Sequence, residues 1–219
     1  MSIKLSHVGE VLIAEMLTQS ALRRQLNQFR CAVTGVSLAD DIQNQGLDLP
    51  ARFIADEASL SLRCGGNTYS CDGAQTVDVL CAGQNDRAIA FEAKLGKTRM
   101  SVPEFKKRFA VPCEISRHKD ARLRGSMVAV LDRALPISGD LQITASVADR
   151  EWTVAKPWWL VIRATTFAHW RVPEHLPIRH ARVLLFDQIA RTFGSRDEFD
   201  ELVKRIIGSD FGSRWDLHF

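Results

Sequence analysis

Thr76-Val77-Asp78-Val79-Leu80-Cys81-Ala82, the polar turn Gly83-Gln84-Asn85-Asp86-Arg87, and Ala88-Ile89-Ala90-Phe91-Glu92-Ala93-Lys94 are the stretch on which the reading of this chain turns. Two short apolar runs separated by a turn predict a pair of strands. Each run carries charge where a buried strand should not: Asp78 between two valines, Glu92 and Lys94 around Ala93. Side chains alternate along a strand, so Glu92 and Lys94 share one face, and Phe91 and Ala93 the other. Isolated charge on a core strand is costly unless it is paired or binds a metal. If Asp78 is to join Glu92 and Lys94, it must lie opposite one of them rather than opposite Ala93. That requires a loop of about three residues, or a bulge, in place of a two-residue turn.

Two converging carboxylates suit a hard cation such as Mg²⁺, which takes oxygen ligands and keeps several waters. Such a cation polarises a phosphoryl oxygen and acidifies a bound water, and a neighbouring lysine can orient that water or neutralise developing charge. The same three residues would also serve as an exposed hairpin face with a Glu–Lys pair at i, i+2.

Asp78, thirteen intervening residues, then Glu92-Ala93-Lys94 resembles the Asp…Glu-x-Lys signature of the PD-(D/E)XK (restriction-endonuclease-like) nuclease superfamily, with Val77 in place of the usual proline. The resemblance covers about residues 5–132. It implies an α/β (α+β) core ordered helix, three-stranded meander, helix, strand, with a mixed sheet flanked by helices. It implies Mg²⁺, with Mn²⁺ as a substitute, held by Asp78, Glu92 and the backbone carbonyl of Ala93, while Lys94 acts on the attacking water. The segment Gly9-Glu10-Val11-Leu12-Ile13-Ala14-Glu15-Met16-Leu17 is similar to the first helix of many members, whose glutamate reaches the metal site. Glu10 is the candidate by that match and Glu15, about 140° further round at 100° per residue, the runner-up. As plain surface carboxylates both would simply be solvated. The activity implied is metal-dependent phosphodiester hydrolysis, in DNA first. The alternative is a nuclease-like binding or protein-interaction module without catalysis.

A chain of 219 residues, 46% hydrophobic and 25% charged, holds enough apolar material for a core. A single nuclease-like domain over 1–219 is expected, its core at about 5–132 and an extension at about 133–219. The net charge of +3 is a mild basic bias that suits nucleic acid. No run reaches the length of a membrane span and no signal-peptide pattern opens the chain. The five cysteines are odd in number and lack C-x-x-C spacing, the usage of reduced thiols in a cytoplasmic protein. A homodimer or a protein partner stays open.

Along the chain, Ser6 is expected to cap a helix from about His7 to Phe29, broken near 18–20, with Val8, Leu12, Ile13, Met16 and Leu17 on its apolar stripe. Cys31–Ser37 leans towards strand, and Leu38–Gly46 reads as a short helix or loop stopped by glycine. Residues 47–57 read as irregular around Pro50. Ala58–Cys64 alternates and should be the first strand of the meander, with Tyr69-Ser70-Cys71 pairing back after Gly65-Gly66-Asn67. After Lys94 the chain turns basic. Lys97, Arg99, Lys106 and Lys107 would face phosphates, the last two on a short helix capped at Ser101; an ordinary solvated face is the bland reading. Arg117–Arg124 extends the run, and Ser126–Leu131 is expected as the fourth strand. Further on, Leu141–Val147 and Trp158–Arg163 read as strands, 170–180 as a loop, Ala181–Phe193 as an amphipathic helix, and Ser195 as the cap of a last helix ending near Gly208. Trp152, Trp158, Trp159 and Trp170 could stack on bases but suit a core equally.

Overall fold

The computed structural model describes residues 5–19, 24–33, 35–47, 52–54, 58–64, 67–70, 76–83, 85–95, 142–147, 149–154, 158–169, 181–193 and 195–207. Helix α1 spans Leu5–Thr18 and buries Val8, Leu12, Ile13, Met16 and Leu17, the stripe expected from their spacing. It starts at Leu5, so Ser6 lies inside its first turn rather than capping it. It ends at Thr18, whose hydroxyl turns back to donate to the Ala14 carbonyl, and the next described helical residue is Arg24, ahead of the turn at Leu26–Gln28. Helix α2, Leu38–Asn44, begins where the Ser37 hydroxyl accepts the Asp40 N–H at 2.9 Å and stops before Gly46, whose φ of +66° suits glycine.

Ten strands among the described residues form one mixed sheet. In chain order they are β1 (Arg52–Ile54), β2 (Ala58–Cys64), β3 (Asn67–Ser70), β4 (Thr76–Val77), β5 (Val79–Ala82), β6 (Arg87–Lys94), β7 (Gln142–Val147), β8 (Arg150–Val154), β9 (Trp158–Ile162) and β10 (Ala181–Leu185). The remaining helices are α3 (Ala164–His169), α4 (Phe186–Ala190) and α5 (Arg196–Ile207). The chain is therefore mixed α/β.

Strand β6 is the hinge of the sheet. On one side it pairs antiparallel with β5, which pairs antiparallel with β1. On the other side it forks: Arg87 and Ala88 run parallel to β8, while Phe91–Lys94 run parallel to β9, and β9 in turn is parallel to β10. Beyond β8 the sheet continues antiparallel through β7 and β2 to β3, and β4 also pairs with β2. Ala88 to Ala93 are all buried, as expected of a strand covered on both faces. Phe53, Phe91 and Trp159 pack in a row across β1, β6 and β9, with ring centroids 5.9 and 6.3 Å apart.

The molecule departs from several of these expectations. The stretch Thr76–Ala82 is two strands broken at Asp78, not one. The neighbour that completes the meander on β5 is β1, from the segment read as irregular. Ala58–Cys64 is a strand, but it pairs with β3, β4 and β7. Three residues are too few to show alternation, yet Phe53 is buried on the core side. Ala181–Leu185 is a strand rather than the first turns of a helix. Val183 and Leu184 are both wholly buried on opposite faces of β10, and a continuous apolar run of that kind looks the same in a buried helix. Only Phe186–Ala190 and the turn Arg191–Phe193 are helical. β8 had no counterpart in the sequence reading; its Trp152 is a core residue, as is Trp159. The last helix starts as expected, the Ser195 hydroxyl accepting the Glu198 N–H at 3.3 Å. The basic segment with its helix, the strand expected at 126–131 and the loop at 170–180 lie outside the described residues. The extension beyond residue 133 supplies β7–β10 to the same sheet as the Asp78–Lys94 hairpin.

Candidate active site

The hairpin register places the charges. Val79 pairs with Phe91, Leu80 with Ala90, Cys81 with Ile89 and Ala82 with Ala88, so Asp78 falls opposite Glu92. The Gly83 N–H bonds the Arg87 carbonyl at 2.8 Å, leaving three loop residues, 84–86. Asp86 takes the left-handed conformation, φ +51°, that a three-residue loop of this kind requires. The odd loop length demanded by a common face for Asp78, Glu92 and Lys94 is the one present.

The break at Asp78 has a local cause. Counting in twos from the bonded pair Gly83–Arg87, a regular antiparallel ladder would give the Ala93 N–H to the carbonyl of Val77. The chain bends at Asp78, with β4 passing to β2, and the Ala93 N–H instead donates to Asp78 Oδ2 at 2.7 Å. The carboxylate replaces a ladder bond and is thereby held beside Glu92.

Lys94 curls back over the same point. Its Nζ lies 2.5 Å from Glu92 Oε1 and 3.8 Å from Asp78 Oδ2, and donates to the Ala93 carbonyl at 3.1 Å. Glu92 is only 6% exposed, and the Asp78 and Lys94 side chains only 13% and 16%. The hairpin face is thus not an exposed one. Along the same face the register neighbours of Glu92 and Lys94 are Leu160 and Ile162, both wholly buried. Two carboxylates and one ammonium sit against an apolar wall, with a formal charge of −1.

Helix α1 approaches the end of β6. A methyl group placed at Gly9 would come within 2.9 Å of Leu95 Cδ1, so the residue beside Glu10 touches the residue after Lys94. Glycine inside a helix costs about 1 kcal/mol relative to alanine, and close packing on the strand end is its use here. Glu10 and Glu15 are both half-buried, on different sides of α1. Lys97, Arg99, Lys106 and Lys107 lie outside the described residues.

Two further buried carboxylates had no role in the sequence reading. Asp41, on α2, accepts the Trp159 indole N–H at 3.1 Å and lies 3.6 Å from Arg182 Nε, tying α2 to β9 and β10. Burial pushes its carboxyl above the usual range, against the opposing pull of Arg182 and the Trp159 bond. The signal was its place three residues after Leu38 and one before Ile42, on the buried stripe of α2. Asp187 accepts the Ala164 N–H at 2.6 Å, joining the start of α4 to the start of α3.

Among the described residues no three His, Cys, Asp or Glu side chains gather as a metal group. The Asp78–Glu92 pair with the Ala93 carbonyl is a smaller set, of the size that a mostly hydrated Mg²⁺ uses. Comparison with family models, curated proteins and solved structures returned no match.

Proposed function

We propose that this protein is a metal-dependent nuclease of the PD-(D/E)XK type. The observation that carries the reading is the ring of oxygens around the Lys94 ammonium: Glu92 Oε1, the Ala93 carbonyl and Asp78 Oδ2. A positive charge already sits among the three oxygens that the resemblance assigns to a cation. The donor set suits Mg²⁺ or Mn²⁺, being all oxygen and doubly anionic. The finer fold assignment draws support from strand pairing, β1, β5 and β6 being antiparallel neighbours and β9 parallel to β6, although β2–β4 intervene in the chain between β1 and β5, and β7 and β8 between β6 and β9.

Asp78, Glu92 and the Ala93 carbonyl would hold the cation, which when bound supplies polarisation of a phosphoryl oxygen and an acidified water. The Asp78 bond to the Ala93 N–H orients that carboxylate beside Glu92. Lys94 would orient the attacking water or neutralise charge developing on the phosphate. Glu10, the neighbour of the Gly9 that packs on Leu95, would complete the shell or hold a water. Lys97, Arg99, Lys106 and Lys107 would contact the phosphates of a nucleic acid, DNA first.

The test is cleavage. Supercoiled, linear, single-stranded and branched DNA and RNA are incubated with the protein in Mg²⁺, in Mn²⁺ and in chelator. Metal-dependent scission of at least one is expected, lost in Asp78→Asn. If none is cut, the non-catalytic binding module replaces the nuclease.

A further inference from the structure

The Lys94 ammonium and a divalent cation would claim the same oxygens. Its Nζ is 2.5 Å from Glu92 Oε1 and 3.1 Å from the Ala93 carbonyl oxygen. A cation held by those oxygens at about 2.1 Å would lie within about 5 Å of it and compete for the same lone pairs, positive charge against positive charge. On the cation-site reading above, which this inference presupposes, the lysine cannot keep its place once metal is bound.

We propose that Lys94 is an internal cation that competes with the divalent metal for Asp78, Glu92 and the Ala93 carbonyl, and that metal entry swings its ammonium out of the site. The arrangement offers the means. Lys94 is the last residue of β6, its side chain is partly exposed, and a lysine stem has four rotatable carbons. While the ammonium is in place it stabilises a buried and a half-buried carboxylate that would otherwise repel each other at neutral pH. When it leaves, it is released at the site, where an incoming phosphate can use it. Metal uptake and deployment of the lysine become one event. Metal affinity is weakened by the cost of expelling the ammonium, as for any ligand that must shift a pre-existing equilibrium.

Two readouts test this without measuring activity. Mn²⁺ is titrated into wild type, Lys94→Met and Asp78→Asn, and free ion is followed by its paramagnetic resonance. Separately, wild-type protein is reductively methylated with and without saturating Mn²⁺, and modification of Lys94 is read by mass spectrometry. Lys94→Met should bind Mn²⁺ roughly 5-fold or more tightly than wild type, the lower end of ordinary coupling between sites. Asp78→Asn should lose the binding, and Mn²⁺ should increase Lys94 methylation. Equal or weaker binding by Lys94→Met overturns the competition while leaving the metal site standing. Unchanged methylation at saturating Mn²⁺ overturns it whether or not the variant folds. If neither wild type nor Lys94→Met binds Mn²⁺, the cation-site reading falls, and the competition with it.

Discussion

Removing Lys94 alone should cost the fold more than removing Lys94 and Glu92 together. At 2.5 Å and an effective dielectric constant near 20, the gross attraction is about 6–7 kcal/mol. Most of this offsets the desolvation of Glu92, which is 6% exposed. Breaking a buried pair costs about 3–5 kcal/mol, and the residual exposure of these side chains puts Lys94→Met near the lower bound, about 3 kcal/mol. Glu92→Gln should cost less, about 1–2 kcal/mol, because Asp78 at 3.8 Å remains a partner for the ammonium. The double variant leaves neither member of the pair stranded and should cost about 1–2 kcal/mol, giving a coupling energy of about 2–4 kcal/mol. Urea unfolding of the four proteins at pH 7 in chelator measures it. A coupling below about 0.5 kcal/mol, the size of many exposed pairs, would refute the claim that these charges meet in a desolvated site.

The other predictions concern separate parts of the molecule. Asp41 has its carboxyl raised above the ordinary 3.8, so the folded chain holds this proton more tightly than the unfolded chain. Stability from this group is therefore lost as pH rises through the raised value, and Asp41→Asn should gain on wild type over that window in a pH series of urea midpoints; parallel curves would contradict it. Asp86→Val should lower stability by about 1–2 kcal/mol, because a β-branched residue is placed at φ +51°, while Asp86→Gly should change it little; equal melting temperatures would count against the loop geometry. Lys94→Ala should slow cleavage by about 10²-fold or more at saturating metal, the scale of one lost electrostatic or acid–base contributor. A variant that cuts as fast as wild type would take Lys94 out of the chemistry.

What could be read from sequence followed from how local each signal is. The hairpin was legible because alternation and a polar turn are local, and the loop length could be worked out from the demand that Asp78 share a face with Glu92. The apolar stripe of α1 and the Ser195 cap were legible for the same reason. The break at Asp78 was not, since it depends on β4 pairing with β2, a strand far along the sheet. Nor was β10: Val183 and Leu184 are buried on opposite faces, which erases the alternation that marks a strand. β1 was hidden by its length, and its membership rests on pairing with β5. The burial of Glu92 separates the site from a solvated hairpin face, and it comes from the parallel neighbour β9, which the resemblance did not reach.

On the proposal made above, Asp78, Glu92 and the Ala93 carbonyl form a cation site. Diffraction from a crystal soaked in Mn²⁺, collected at the manganese absorption edge, tests it most directly. An anomalous peak is expected about 2.1 Å from a carboxylate oxygen of each acid and from the Ala93 carbonyl, with the Lys94 ammonium moved away from Glu92. An ammonium still seated on Glu92, with no peak at these oxygens at saturating Mn²⁺, would contradict it.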